Sequence, residues 1–244
     1  MEPERYATQT LLPEIGYSGQ KLIRASSVLI LGAGAVGSHL AGILTRCGVG
    51  KIRLIDSDRV EIGNLQRQNL FDEHSVGILK VEAAAEKLLR INPGICIETV
   101  KARISSFAEL LDHAAGMDVL LDASDNQKAR IMLNQVALRL GIPWVHTAVA
   151  GHSGQCACFC LSGGPCYACF MPAVSENTKL SDAQSSGILN PAIGMAASLS
   201  ASMALKLLLK TPPDREVLFF DAWVPEIRRM ELNKDPHCRA CSSR

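Results

Sequence analysis

Apolar residues come in two rhythms along the first 150 positions. Short runs at 27–31, 51–56, 118–122 and 144–148 predict strands, and an alternating stretch at 95–102 predicts another. Between them lie segments with apolar residues three and four apart, which predict helices at about 38–47, 80–90, 107–115 and 127–140. In the second of these, Val81, Ala84, Ala85, Leu88 and Leu89 share one face. Gly48 and Gly50, Asn92-Pro93-Gly94 and Gly141-Ile142-Pro143 punctuate the boundaries. Strand–helix–strand alternation of this kind builds a parallel sheet covered by helices. Residues 1–25 are expected to be helical, and 58–75 to form a polar, irregular connection.

Beyond position 150 the pattern changes. Residues 155–161 alternate as a strand, 163–172 read as a loop holding two cysteines, 173–187 as a polar connection and 216–221 as a strand. Residues 188–209 form the most apolar stretch, but Asn190, Pro191, several serines and Lys206 interrupt it. It is expected to fall short of a membrane span. Its small residues, among them Gly194, Ala196, Ala197 and Ala201, suggest a closely packed, buried helix. The expected fold is therefore α/β: a Rossmann-like, doubly wound, mainly parallel sheet completed by C-terminal strands, in one domain over 1–244.

Composition narrows the function classes. With 48% hydrophobic and 20% charged residues in 244 positions, the chain has ample material for one sizeable core. A formal net charge of +1 provides no global field for nucleic acid or a membrane surface, so neither is expected as a partner. Any nucleotide is held locally. The first ten residues are polar and unlike a signal peptide, so a cytoplasmic protein is expected. In that setting nine cysteines are more often metal ligands or core residues than disulfides.

The first chemical signal is Gly32-Ala33-Gly34-Ala35-Val36-Gly37, placed after an apolar strand and at the start of a helix. Glycines there let the backbone turn sharply and approach phosphates, and the helix N-terminus offers free N–H groups. Asp56 ends the next strand, where an acid can accept hydrogen bonds from ribose hydroxyls. This pair alone allows a nucleotide or a dinucleotide. In Asn64-Leu65-Gln66-Arg67-Gln68 a guanidinium follows the ribose acid, and Lys80 adds a second cation. Two cations suit a triphosphate whose pyrophosphate leaves. Asp125, three residues past Asp122, can hold Mg2+ through oxygen. The alternative makes Arg67 and Lys80 solvated surface charges and Asp125 a helix cap.

The second signal is a pair of C-x2-C knuckles, Cys166 with Cys169 and Cys238 with Cys241, separated by 68 residues. Together they can supply four thiolates to a closed, structural Zn2+ site that pins the tail to the loop; redox pairs or unrelated thiols are the alternatives. Cys156, Cys158 and Cys160 share one strand face and are expected to be small core residues, as are Cys47 and Cys96.

In series these motifs resemble the ubiquitin-activating-enzyme-like adenylyltransferases of the MoeB/ThiF/HesA group. The resemblance runs from Arg5-Tyr6 through the glycine turn, Asp56-Ser57-Asp58, Asn64-Leu65-Gln66-Arg67-Gln68, Gly77-Ile78-Leu79-Lys80 and Asp122-Ala123-Ser124-Asp125-Asn126 to both knuckles. It implies a homodimer that binds Mg-ATP and adenylates the C-terminal glycine of a ubiquitin-fold carrier protein ending in Gly-Gly. Residues 1–150 would bind the nucleotide, and 151–244 would carry the zinc and meet the carrier. Gly32, Gly34, Gly37, Asp56, Asn64, Arg67, Gln68, Lys80 and Asp125 would bind ATP and magnesium; Arg67, Lys80 and Asp125 would be catalytic. Two departures stand out. The family often has a second arginine in Arg-Tyr-x-Arg-Gln that reaches the partner's ATP; here that position is Thr8. Members that form covalent sulfur adducts carry a cysteine in the loop before the long helix; here 177–187 has none and Ala183 stands near its place. These departures leave open a relative that adenylates a peptide or small carboxylate, or a weakened carrier-binding subunit. An NAD-dependent oxidoreductase is the remaining alternative.

Overall fold

The computed structural model of the chain describes residues 2–160, 163–172, 187–211 and 215–242. Eight strands make one continuous sheet in the order β3-β2-β1-β4-β5-β6-β7-β8. Strands β1 (Ser27–Leu31), β2 (Lys51–Ile55), β3 (Cys96–Val100), β4 (Val119–Asp122) and β5 (Trp144–Ala150) are mutually parallel. Strands β6 (Ser153–Phe159), β7 (Glu216–Asp221) and β8 (Glu226–Glu231) continue antiparallel from β5. Strand order reverses between β1 and β4, and a crevice opens at such a switch point outside the carboxyl ends of the strands.

Strand alternation divides the core into two layers. Val28 and Ile30, with Ile52, Leu54, Val119 and Leu121, face α4 (Ala35–Cys47), α5 (Lys80–Ile91) and α9 (Asn190–Leu208). Leu29, Leu31, Leu120, Trp144 and Phe159 face α6 (Phe107–Ala114) and α7 (Gln127–Leu140) on the other side. The expected doubly wound sheet is present, with its boundaries shifted by a few residues.

Four expectations need correction. The N-terminal helix is three pieces, α1 (Glu2–Arg5), α2 (Ala7–Thr10) and α3 (Gly16–Ala25), because Pro13 breaks the run and Gly16 takes a φ of +56°. By length and mean hydropathy α9 does qualify as a membrane-crossing helix; it lies instead on the sheet, with Ala192, Ala196, Ala197, Ala201 and Ala204 buried. Cys96 is exposed rather than core, because it opens the edge strand β3. Cys47 is half-buried at the end of α4. Strand β8 is an addition: its charged sequence shows no apolar face because both faces are exposed at the sheet edge.

Candidate active site and four-cysteine centre

The glycine turn connects β1 to α4 at the switch point. A Cβ on Gly32, which has a φ of +102°, would lie 2.6 Å from the Ala123 carbonyl oxygen. One on Gly37 would lie 2.0 Å from the Gly32 carbonyl oxygen, so both positions exclude a side chain. Gly34 differs: the one heavy atom a Cβ would meet within 4 Å is Gln68 Nε2, at 4.0 Å. Packing does not require that glycine, and the space beside it is open to a phosphate.

Asp56 follows β2 and is tied to this turn. Its Oδ2 accepts from the Ala33 N–H at 2.7 Å and its Oδ1 from the Asp58 N–H at 2.8 Å. Each oxygen keeps a lone pair for a ribose hydroxyl. Lys80, buried at the start of α5, donates to Asp58 Oδ2 at 2.9 Å, so this cation is already paired close to Asp56. Gln68 is 3% exposed and its Oε1 has no hydrogen-bond partner. A buried acceptor left unmade costs about 1–3 kcal/mol, which a donor on a bound nucleotide would offset. Asn64 closes a local capping box by accepting from the Glu61 N–H, and Arg67 Nη1 donates to the Gly63 carbonyl at 2.8 Å.

Asp125 lies beyond β4 on the same edge. The cap of α7 is Asn126, whose Oδ1 accepts from the Ala129 N–H at 2.9 Å. That removes the capping reading of Asp125 and leaves its exposed carboxylate available to a cation. The predicted nucleotide residues thus emerge from β1, β2 and β4 and the 57–80 segment, all at the carboxyl ends of parallel strands.

The sequence reading missed the buried layer beneath them. Asp122 Oδ2 accepts from Arg130 Nε at 3.2 Å and from His146 Nδ1 at 3.1 Å; Oδ1 accepts from the Ser124 N–H at 3.0 Å and its hydroxyl at 2.6 Å. Arg130 Nη2 also reaches the Ser124 carbonyl at 3.2 Å. Burial alone would raise the Asp122 pKa, but the Arg130 charge and the His146 hydrogen bond outweigh it and hold the carboxyl below its usual range. Burial pushes His146 below the usual imidazole value, against the pull of Asp122. The neutral ring therefore donates from Nδ1 to Asp122 and accepts at Nε2 from Gln155 Nε2, 3.2 Å away. One signal was legible: Arg130 sits among Ala129, Met132, Leu133 and Val136, on the buried part of α7.

The four knuckle cysteines converge. Their sulfurs all lie within 4.8 Å of one another: 4.0 Å for Cys166 and Cys169, 3.7 Å for Cys166 and Cys238, 3.5 Å for Cys169 and Cys241. A tetrahedron of thiolates about 2.3 Å from a central ion has edges of about 3.8 Å, so the set fits a metal ion. Burial raises Cys166, burial with the neighbouring thiols raises Cys241, and against the pull of burial the backbone N–H groups of Ala240 and Cys241 help hold Cys238 down; a central cation would hold the two raised thiols as thiolates. Cys156 and Cys158 are core residues as expected, whereas Cys160 leaves the strand at a φ of +60° and packs against the four-cysteine cluster.

A model described as the ThiF family matches residues 6–240. The chain belongs to the ThiF family. It is 36% identical over 240 residues to the molybdopterin-synthase adenylyltransferase of Escherichia coli, covering 97% of this chain and 95% of that protein. It is 33% identical to the sulfur carrier protein adenylyltransferase of Thermus thermophilus, covering 98% and 91%. These relatives set the enzyme class as adenylyltransferase. In fold it matches the crystal structure of E. coli MccB with MccA-N7isoASN, with a TM-score of 0.85 at 24% identity over 97% of this chain and 74% of that one.

The N-terminal motif of this ThiF-family chain lies at the opposite end of the strands, beside the amino ends of β2 and β3. Arg5 Nη1 donates to the Ile91 carbonyl at 2.9 Å, and Asn92 Nδ2 donates to the Tyr6 hydroxyl at 2.8 Å. Gln9 donates to the Cys47 carbonyl at 3.0 Å. These contacts cap the ends of α4 and α5, where the chain enters β2 and β3. Arg5 therefore cannot stand in for the arginine missing at Thr8 within its own chain. The expectation about Ala183 and the absence of a loop cysteine falls on 177–186, outside the described residues.

Proposed function

We propose that the chain is an ATP-dependent adenylyltransferase that activates the C-terminal glycine of a ubiquitin-fold sulfur-carrier protein as an acyl-adenylate. A carboxylate oxygen of the carrier attacks the α-phosphorus, the bond to the β-phosphate oxygen breaks, and pyrophosphate leaves. The attacking group is already ionised, so the protein positions the two reactants and neutralises charge. Gly32, Gly34 and Gly37 let the backbone approach the phosphates, and Asp56 holds the ribose. Asn64, Arg67, Gln68 and Lys80 meet the nucleotide around its phosphates, and Asp125 takes Mg2+. The observation that carries the reading is Asp125: an acid relieved of capping by Asn126, across the switch point from the segment that bears Arg67 and Lys80. Hydride transfer has no use for that set.

The relatives' names support a carrier protein as the acyl substrate. A homodimer completes the reading, supported by Arg5 lying at the far end of the strands and by Leu11 at 80% and Tyr17 at 73% exposure in the N-terminal segment. A second copy is the route by which N-terminal residues reach a nucleotide. Residues 1–150 form the nucleotide half and 151–244 the carrier and metal half. A cytoplasmic location keeps the knuckle thiols reduced.

ATP–pyrophosphate exchange tests this directly. Exchange should appear with a small carrier ending in Gly-Gly and vanish when its last glycine is deleted. Exchange driven by a short peptide instead would make the chain a peptide adenylyltransferase. Carrier binding without exchange would make it a binding subunit.

The metal of the four-cysteine centre is proposed to be structural Zn2+, with no coordination position open to substrate. Protein purified under reducing conditions should contain about one zinc per chain. Free zinc at a few hundred times its Kd stabilises the folded chain by about 3 kcal/mol, or about 6–12 °C in Tm. Cys238→Ser should remove both the zinc and that increment. Metal-free protein with an unchanged Tm would refute the assignment.

A further inference from the structure

The knuckle that holds the metal also contains Tyr167, and this residue does not face the metal. Only 3% of it is exposed; its ring packs against Trp144, Phe159 and Phe170 as well as His146, and its hydroxyl and N–H reach α7. Its hydroxyl pairs with the side-chain amide of Gln127, at 2.9 Å from Nε2 and 3.1 Å from Oε1. Its ring centroid lies 5.2 Å from that of His146. Its N–H donates to Asn134 Oδ1 at 2.9 Å, anchoring it on α7.

Two of these contacts end on either side of Asp125. Gln127 is the first residue of α7, two positions after Asp125, and is itself buried. His146 holds Asp122, which in turn holds Ser124 through two hydrogen bonds. Among the described residues Asp125 has only a 3.5 Å contact from the neighbouring Asn126 amide. Its position is therefore set by its flanks; Tyr167 supports both, and Arg130 also holds Asp122 and the Ser124 carbonyl. Buried networks of this kind transmit small displacements because close-packed interiors deform little.

We propose that Tyr167 is a positioning residue that couples the four-cysteine centre to the Asp122–Asp125 loop, so that metal loading of the knuckle sets the geometry of Asp125. The coupling is independent of the adenylation reading; only the consequence for Mg2+ rests on that reading.

Hydrogen–deuterium exchange of the zinc-loaded protein tests the coupling without turnover. Tyr167→Phe removes one hydroxyl and keeps the ring, and Gln127→Leu removes the partner. Each should raise amide exchange across 123–129 about fivefold, the effect of losing one buried hydrogen bond, with zinc content unchanged. The double variant should exceed neither single one, because both break the same link. Chelating the metal should raise exchange at 123–129 in the parent and add less than about twofold in Tyr167→Phe, if the hydroxyl carries most of the link. Unchanged exchange at 123–129 in Tyr167→Phe, or a rise spread evenly over β1 to β5, would overturn the coupling. So would an equal response of parent and variant to the chelator. In parallel, the Mg2+ concentration for half-maximal binding of a non-hydrolysable ATP analogue should rise about fivefold in Tyr167→Phe. A raised exchange with an unchanged Mg2+ requirement would uphold the coupling and overturn Asp125 as the magnesium ligand.

Discussion

Replacing Arg67 or Lys80 with alanine should lower ATP–pyrophosphate exchange by about 10²–10³-fold while leaving the fold intact, the usual cost of deleting one preorganised group that stabilises charge in the transition state. The stability half of this expectation follows from exposure. The Lys80 side chain is 9% exposed, but its partner Asp58 is 65% exposed, so removing the lysine leaves a carboxylate that water can solvate. Among the described residues the Arg67 side chain is tethered only to the Gly63 carbonyl, on the surface of the loop. Neither deletion strands a buried charge, so Tm should fall by no more than a few degrees, corresponding to about 1 kcal/mol. Arg67→Lys should restore only part of the exchange, because an ammonium cannot make the planar, two-pronged contact of a guanidinium. Full exchange in either alanine variant would move the phosphates elsewhere. A collapse in Tm would show that the residue holds the fold instead.

The elements that position this site were legible because they obey local rules. Apolar runs separated by helical periods predict a parallel sheet, and the glycine turn falls at its switch point. The two knuckles predict the metal centre through spacing alone, and their sulfurs meet across a long separation in sequence. What stayed hidden depends on contacts between distant segments. Nothing near His146 marks it as a partner of Asp122, 24 residues earlier, and Tyr167 reads as a filler between two cysteines until its hydroxyl is seen on Gln127. Strand β8 was missed because an edge strand with two exposed faces carries no hydrophobic period to detect. The N-terminal motif was visible as a motif, but its place at the far end of the strands was not. That position gives Thr8 its meaning: in the proposed dimer an arginine there would act across the two subunits, and its absence leaves the contacts of Tyr6 and Gln9 untouched.

Asp122 should prove the residue to which stability is most sensitive. Asp122→Asn preserves the shape but leaves the buried guanidinium of Arg130 without its counter-charge. Breaking such a pair from one side costs about 3–5 kcal/mol. Removing both ends is gentler, so Asp122→Asn combined with Arg130→Met should be more stable than Asp122→Asn alone. Urea unfolding near neutral pH measures both. The pH dependence has two parts. His146 is held neutral in the folded chain, whereas an unfolded imidazole takes up a proton near pH 6.5, so the unfolded state binds more protons below that value. Stability should begin to fall as the pH drops below about 6.5; burial depresses His39 as well, so His146→Gln should lessen this first decline and leave the share of His39. The Asp122 carboxyl is depressed, so its contribution is complete above the unfolded value of about 3.9 and is lost as the pH falls through the folded one. Asp122→Asn should remove the share of Asp122 in that more acidic loss and leave the shares of Asp72 and Asp221, which are depressed as well. If stability is flat between pH 7 and 5 in the parent and in His146→Gln alike, the neutral imidazole assigned to this network is wrong. The link from Tyr167 through His146 to the Asp125 loop would then lose one of its two paths.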